Sequence, residues 1–73
     1  MEEIIIIDKQ QYLNKHYPFA DVPELTDSKL CIHCDHIIIV GNYKVFKEKS
    51  GFEYICCPNA PSCNGTLIDW MEF

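Results

Sequence analysis

Hydrophobic and polar positions change their period several times along the chain, and each change marks an element. Glu3 to Ile7 is apolar and β-branched without alternation. That pattern predicts a short strand, buried on both faces or central in a small sheet. Asp8 follows as a helix N-cap, and Gln11 stands three residues on, in the capping-box position. Lys9 to Tyr17 contains neither Gly nor Pro. Leu13 with Tyr17 and Tyr12 with His16 recur at i,i+4, so one short amphipathic helix is expected there. Pro18 ends it, because the residue before a proline is pushed out of the helical region.

Periodicity is lost from Phe19 to Lys29, which carries Pro23 and the acids Asp21, Glu24 and Asp27. This stretch reads as a connector pinned across the fold by Phe19, Val22 and Leu25. Leu30 to Asp35 is a tight turn around a CxxC pair. His36 to Val40 is a strand, Gly41-Asn42 a two-residue turn, and Tyr43 to Lys47 a returning strand. Lys49-Ser50-Gly51 is a second turn leading to a strand over Phe52 to Cys56, and Thr66 to Trp70 reads as a last strand. The expected architecture is a small α+β fold. It has one short N-terminal helix and a zinc-ribbon antiparallel sheet of three to four strands. No repeat or linker divides it, so residues 1–73 read as a single domain: 1–30 strand, helix and connector, 31–73 metal-binding ribbon.

Size changes this picture by making a staple useful. Chains below roughly 80 residues often need a metal or disulfides beside their core. At 73 residues and 48% hydrophobic, this one can build a core but a limited one. The five cysteines supply the staple. Their count is odd, and Met1-Glu2-Glu3 is acidic where a signal peptide is basic. A reducing, cytoplasmic compartment is expected, in which CxxC pairs read as metal ligands or redox thiols.

Cys31 and Cys34 form the first pair. Cys63 and either Cys56 or Cys57 form the second, at the far end of the intervening strands. Neighbours on a strand point to opposite faces, so only one of Cys56 and Cys57 ligates easily. Zinc favours four thiolates in a tetrahedron. His33 and His36 lie close enough in sequence to make a Cys₃His site conceivable, but four cysteines already complete the shell. Asp35 follows Cys34 where a left-handed residue is expected. Gly65, two residues after Cys63, is expected at positive φ.

Gly51-Phe52-Glu53-Tyr54-Ile55-Cys56-Cys57-Pro58-Asn59-Ala60-Pro61-Ser62-Cys63 resembles the second half of the zinc ribbons at the C-terminus of bacterial type IA DNA topoisomerases. Their pattern sets a glycine and an aromatic before Cys-x-Asn-x-Pro-x-Cys. Here it is matched at Tyr54, Cys57, Asn59, Pro61 and Cys63, with Cys31 and Cys34 upstream. The likeness covers about half the chain, from Cys31 to Thr66. It departs at Ile32 and Asp35, where those ribbons carry Pro and Gly. It implies a zinc ion held by Cys31, Cys34, Cys57 and Cys63. Cys56 is then left as a small buried hydrophobe or, alternatively, a redox-sensitive thiol.

Charge bears on the partner. The formal net charge is −5, and a tetrathiolate zinc adds roughly two more negative charges. Phosphate backbones are recognised chiefly by Lys and Arg. Lys44, Lys47 and Lys49 cluster near one hairpin but are interrupted by Glu48 and Glu53. No catalytic constellation is visible, and four thiolates leave a zinc ion no open position. The expectation is a non-catalytic zinc module that binds another protein and no membrane. The alternatives are single-stranded nucleic-acid binding and a rubredoxin-like iron or redox protein; rubredoxins, however, use two CxxC pairs, unlike Cys57-x₅-Cys63.

Overall fold

The computed structural model describes residues Met1–Phe73. Its one helix, α1, spans Lys9–His16 and is built as its sequence dictates. The Asp8 carboxylate accepts from the Gln11 N–H at 3.1 Å, satisfying one of the donors that a helix start leaves free. Tyr17 at the C-cap is already extended, ahead of Pro18. Leu13 is fully buried, and Tyr12 and His16 stack with centroids 4.3 Å apart.

Six strands form two three-stranded antiparallel sheets, giving with the helix an α+β fold. They are β1 (Glu2–Ile4), β2 (Ser28–Cys31), β3 (His36–Ile39), β4 (Lys44–Lys47), β5 (Glu53–Cys56) and β6 (Trp70–Met71). One sheet has the order β1-β4-β5 and the other β3-β2-β6. The expected single sheet is thus divided, and β3 and β4 fall on opposite sides of the division. Gly41-Asn42 is not a hairpin turn. Val40–Asn42 forms a 3₁₀ turn that carries the chain from one sheet to the other. The reason is a third segment: the Gly41 N–H donates to the Leu25 carbonyl at 2.8 Å. A Cβ on Gly41 would meet that oxygen at 2.8 Å, so only glycine admits the approach.

The other elements depart from expectation in instructive ways. β1 is shorter than Glu3–Ile7 and lies at an edge, and Ile5 and Ile7 are exposed. The connector yields a strand at its end: Ser28–Cys31 is the central strand of its sheet. There Lys29 turns inward, 9% exposed, and ion-pairs with Glu72. Val22 and Leu25 do pack against the core, whereas Phe19 is exposed. The Gln10 amide fixes the connector, donating to the Pro23 carbonyl and accepting from the Leu25 N–H, each at 3.1 Å. The expected strand Thr66–Trp70 is broken. Leu67–Asp69 is a 3₁₀ turn closed by a Thr66/Asp69 capping box, and only Trp70–Met71 pairs with β2.

The β4–β5 hairpin forms as expected, with Gly51 at φ 96° in its turn. Lys9 locks the helix to the inter-sheet turn. Its ammonium donates to the carbonyls of Gly41 (2.8 Å) and Tyr43 (2.7 Å), while the Tyr43 hydroxyl donates to the Lys9 carbonyl at 2.7 Å. The core joins Leu13, Ile38, Val40, Tyr43, Val45, Ile55, Leu67 and Trp70 with Cys31, Cys57 and Cys63. No helix is long and apolar enough to cross a membrane.

Candidate metal centre

Each sheet brings two cysteines to one point. Cys31 ends β2, and the turn after it delivers Cys34. Asp35 stands at φ 59° in that turn, the left-handed conformation expected of it, and donates its N–H to the Cys31 carbonyl at 2.8 Å. Cys57 follows β5, and a loop through Pro58 and a cis Ala60-Pro61 bond returns the chain to Cys63. The Ala60 N–H to the Cys57 carbonyl (2.9 Å) and the Cys63 N–H to the Asn59 carbonyl (3.0 Å) hold that loop closed.

The four sulfurs of Cys31, Cys34, Cys57 and Cys63 lie within 4.8 Å of one another. Cys31 Sγ is 3.7 Å from Cys63 Sγ, and Cys34 Sγ is 3.9 Å from Cys57 Sγ. A tetrahedron with metal–sulfur bonds of about 2.3 Å has edges of roughly 3.8 Å. The two short separations match those edges, and no pair is bonded as a disulfide. The donor set is therefore positioned to hold a metal ion.

Backbone and side-chain donors already point at the sulfurs. The Asn59 N–H approaches Cys57 Sγ at 3.4 Å, the Asn59 side-chain amide approaches Cys34 Sγ at 3.7 Å, and the Gly65 N–H approaches Cys63 Sγ at 3.2 Å. Such donors favour thiolate over thiol. Asn59 thus has a structural role that its place in the motif only hinted at.

Electrostatics set Cys34 apart from Cys57 and Cys63. His36 beside it, together with Asn59, holds the Cys34 thiol down at about 6. The same contact pushes His36 upward. Burial drives Cys57 well up, and raises Cys63 against the opposing Gly65 N–H. An incoming cation therefore meets a ready thiolate at Cys34 and must displace protons from Cys57 and Cys63.

Gly65 corrects an expectation. Gly51 is the glycine at positive φ; Gly65 is not. Its constraint is space. A Cβ there would lie 3.0 Å from His33 Cβ, 3.1 Å from Cys31 Sγ and 3.2 Å from Cys63 Sγ. The chain passes so close to the sulfurs that no side chain fits between.

Cys56 stays out of the cluster. The β5 pleat turns its sulfur the other way, where it contacts the Tyr54 carbonyl at 3.7 Å, and burial raises its thiol. It lines a cavity of about 500 Å³ with Phe46, Tyr54, Ala60, Pro61 and Cys63. Of the two candidate histidines, His33 places Nδ1 3.7 Å from Cys63 Sγ. His33 and His36 thus flank the sulfurs from outside the four-cysteine set.

Comparisons with protein-family models, with curated proteins and with solved structures find no match for this chain. The likeness to topoisomerase ribbons accordingly carries no family assignment. What stands is a four-cysteine cluster of zinc-ribbon type, built where the two sheets meet.

Proposed function

We propose that Cys31, Cys34, Cys57 and Cys63 hold one Zn²⁺ as a structural ion, and that the chain acts as a non-catalytic protein-interaction or accessory module. The observation that carries this reading is the closure of the site. Four sulfurs converge within 4.8 Å, and three of them belong to buried residues continuous with the apolar core. A catalytic zinc ion keeps a position for water or substrate, and a tetrathiolate keeps none. The donor set is also one that iron accepts, so the ion must be measured. Elemental analysis of purified protein is expected to give one zinc per chain and no colour. Stripping it with a chelator is expected to abolish the far-ultraviolet signature of the fold. A red protein with stoichiometric iron would refute the zinc assignment, and a fold indifferent to chelation would refute the structural role.

A second reading is favoured by one feature. Phe52 is exposed at the β4–β5 turn and packs on Tyr54 with centroids 4.7 Å apart. Exposed stacked aromatics suit single-stranded nucleic acid. Against it, Lys44 is occupied by the Ala60 carbonyl at 2.8 Å, and Lys47 stands opposite Glu53. Salt-sensitive binding of an oligonucleotide that Phe52→Ala weakens would support this reading, and no binding at low salt would end it.

A further inference from the structure

The open edge of β3 has the form of a self-pairing strand, and we propose that two copies of this chain associate by antiparallel β3–β3 pairing. β3 lies at the edge of its sheet, and its inner side is spoken for by β2. The Val40 N–H donates to the Asp27 carbonyl at 2.9 Å. In an antiparallel ladder, hydrogen-bonded and non-hydrogen-bonded pairs alternate. The Ile38–Lys29 and His36–Cys31 pairs are therefore bonded inward, and Ile37 and Ile39 turn their N–H and C=O groups to the open side. No other segment donates to them or accepts from them. Their side chains, 60% and 44% exposed, stand on the outer face of the sheet.

The remaining edges are each unsuited to pairing. β1 presents Glu2 and Glu3, so pairing two copies there sets carboxylate against carboxylate. β5 is covered at its end by the Cys56–Thr66 bridge, and β6 is two residues long. Edge strands are usually protected by charge, proline or a bulge. β3, read His36-Ile37-Ile38-Ile39, carries no acid in a chain of net charge −5, so two copies paired along it set no carboxylate of the paired strands against another.

The register is dictated by the outward groups. Ile37 of one copy pairs with Ile39 of the second, and Ile39 with Ile37, with Ile38 on the twofold axis. Four backbone hydrogen bonds form, and the interface is isologous, as a closed dimer requires. Leu30 stands opposite both Ile37 and Met71 on the outer face, so pairing extends this apolar row onto Ile39 of the second copy. A four-residue edge buries far less than the roughly 800 Å² per partner of a standard interface, which places the dimer in the weak, reversible class.

The test is sedimentation equilibrium of the zinc-loaded full chain from about 10 μM to about 1 mM, a range that captures weak association. A concentration-dependent dimer is expected. Ile39→Pro removes the outward N–H, and by symmetry two of the four bonds, at a site where proline is tolerated. It should weaken association at least tenfold while zinc content and circular dichroism stay unchanged. Met71→Lys, on the same face but away from the edge, should leave the dimer intact. As a check independent of any variant, exchange of the Ile37 and Ile39 amides should slow as protein concentration rises. A wild-type chain that is monomeric at about 1 mM would overturn the proposal. So would an Ile39→Pro protein that dimerises as well as wild type, or amide exchange at Ile37 and Ile39 that ignores concentration. Loss of the dimer in Met71→Lys would assign the association to face-to-face packing instead. A monomer whose Ile37 and Ile39 amides are protected only by an added extended peptide would assign the edge to a foreign strand.

Discussion

Gly65→Ala tests the metal centre most sharply, because the glycine is needed for space and not for backbone conformation. The added methyl would stand 3.0–3.2 Å from His33 Cβ, Cys31 Sγ and Cys63 Sγ. Comfortable separations between such atoms begin near 3.5 Å. Each neighbour must therefore retreat by a few tenths of an ångström. In the metal-free chain the two sulfurs can swing away. Around a bound ion they cannot, since metal–sulfur bonds of about 2.3 Å fix them. The cost thus falls mainly on the loaded state. Overpacking of this kind costs about 1–3 kcal/mol, which converts to a zinc dissociation constant roughly 5- to 140-fold higher. Competition with a chromophoric chelator measures it directly.

Gly51→Ala is the control. Gly51 has φ 96° and nothing within 4 Å of a new Cβ, so its substitution strains the backbone without touching the site. That strain costs about 1–3 kcal/mol of folding free energy. Where folding and binding are coupled, it also lowers apparent affinity, so a second readout is needed. Cobalt substituted for zinc reports the sulfur geometry through its visible bands. Gly65→Ala should shift those bands and Gly51→Ala should not. A Gly65→Ala protein with wild-type affinity and unshifted cobalt bands would refute the crowding argument.

Three further outcomes are expected. Cys57→Ser should lose zinc or fail to fold, while Cys56→Ser should keep stoichiometric zinc, as metal analysis of the two purified proteins will show; zinc retained in Cys57→Ser would sink the ligand assignment. Leu13→Ala empties the one fully buried position of the helix and should cost about 2–5 kcal/mol in urea denaturation of the zinc-loaded protein. Tyr43, pushed up to about 12 by its burial, is neutral when folded and ionises near 10 when unfolded. Its contribution is therefore fully present below about pH 10 and is lost as pH rises through about 12; alkaline unfolding in that window should be blunted in Tyr43→Phe.

What could be read from the sequence was whatever is decided within a few residues. Asp8 caps its helix, Pro18 stops it, Asp35 takes the left-handed turn and Lys49-Ser50-Gly51 reverses a hairpin, each for a reason its neighbours supply. The cysteine spacing likewise anticipated the sulfur cluster. What escaped was set by distant segments. Gly41-Asn42 has the composition of a two-residue turn, but the Leu25 carbonyl draws Gly41 into a crossing between sheets. β2 was hidden because one of its two inward positions is a lysine, which ion-pairs with the distant Glu72. Ile5 and Ile7 looked like strand interior because hydrophobicity alone does not say whether a partner strand extends that far. Gly65 was correctly singled out for the wrong cause, since proximity to two sulfurs from other parts of the chain leaves no local signature.

The meeting of the two sheets at the sulfur cluster has a consequence for how the molecule responds to its surroundings. An ion held by Cys31, Cys34, Cys57 and Cys63 cross-links the chain at four points and closes long loops in every unfolded conformation that retains it. It restricts the unfolded ensemble as a disulfide does, yet it persists under conditions that reduce disulfides. Because ligand binding stabilises by mass action, the strength of this cross-link rises and falls with free metal. A drop in available metal would remove the link between the Cys31–Cys34 turn after β2 and the Cys57–Cys63 loop after β5. The stability of the protein would then follow metal supply.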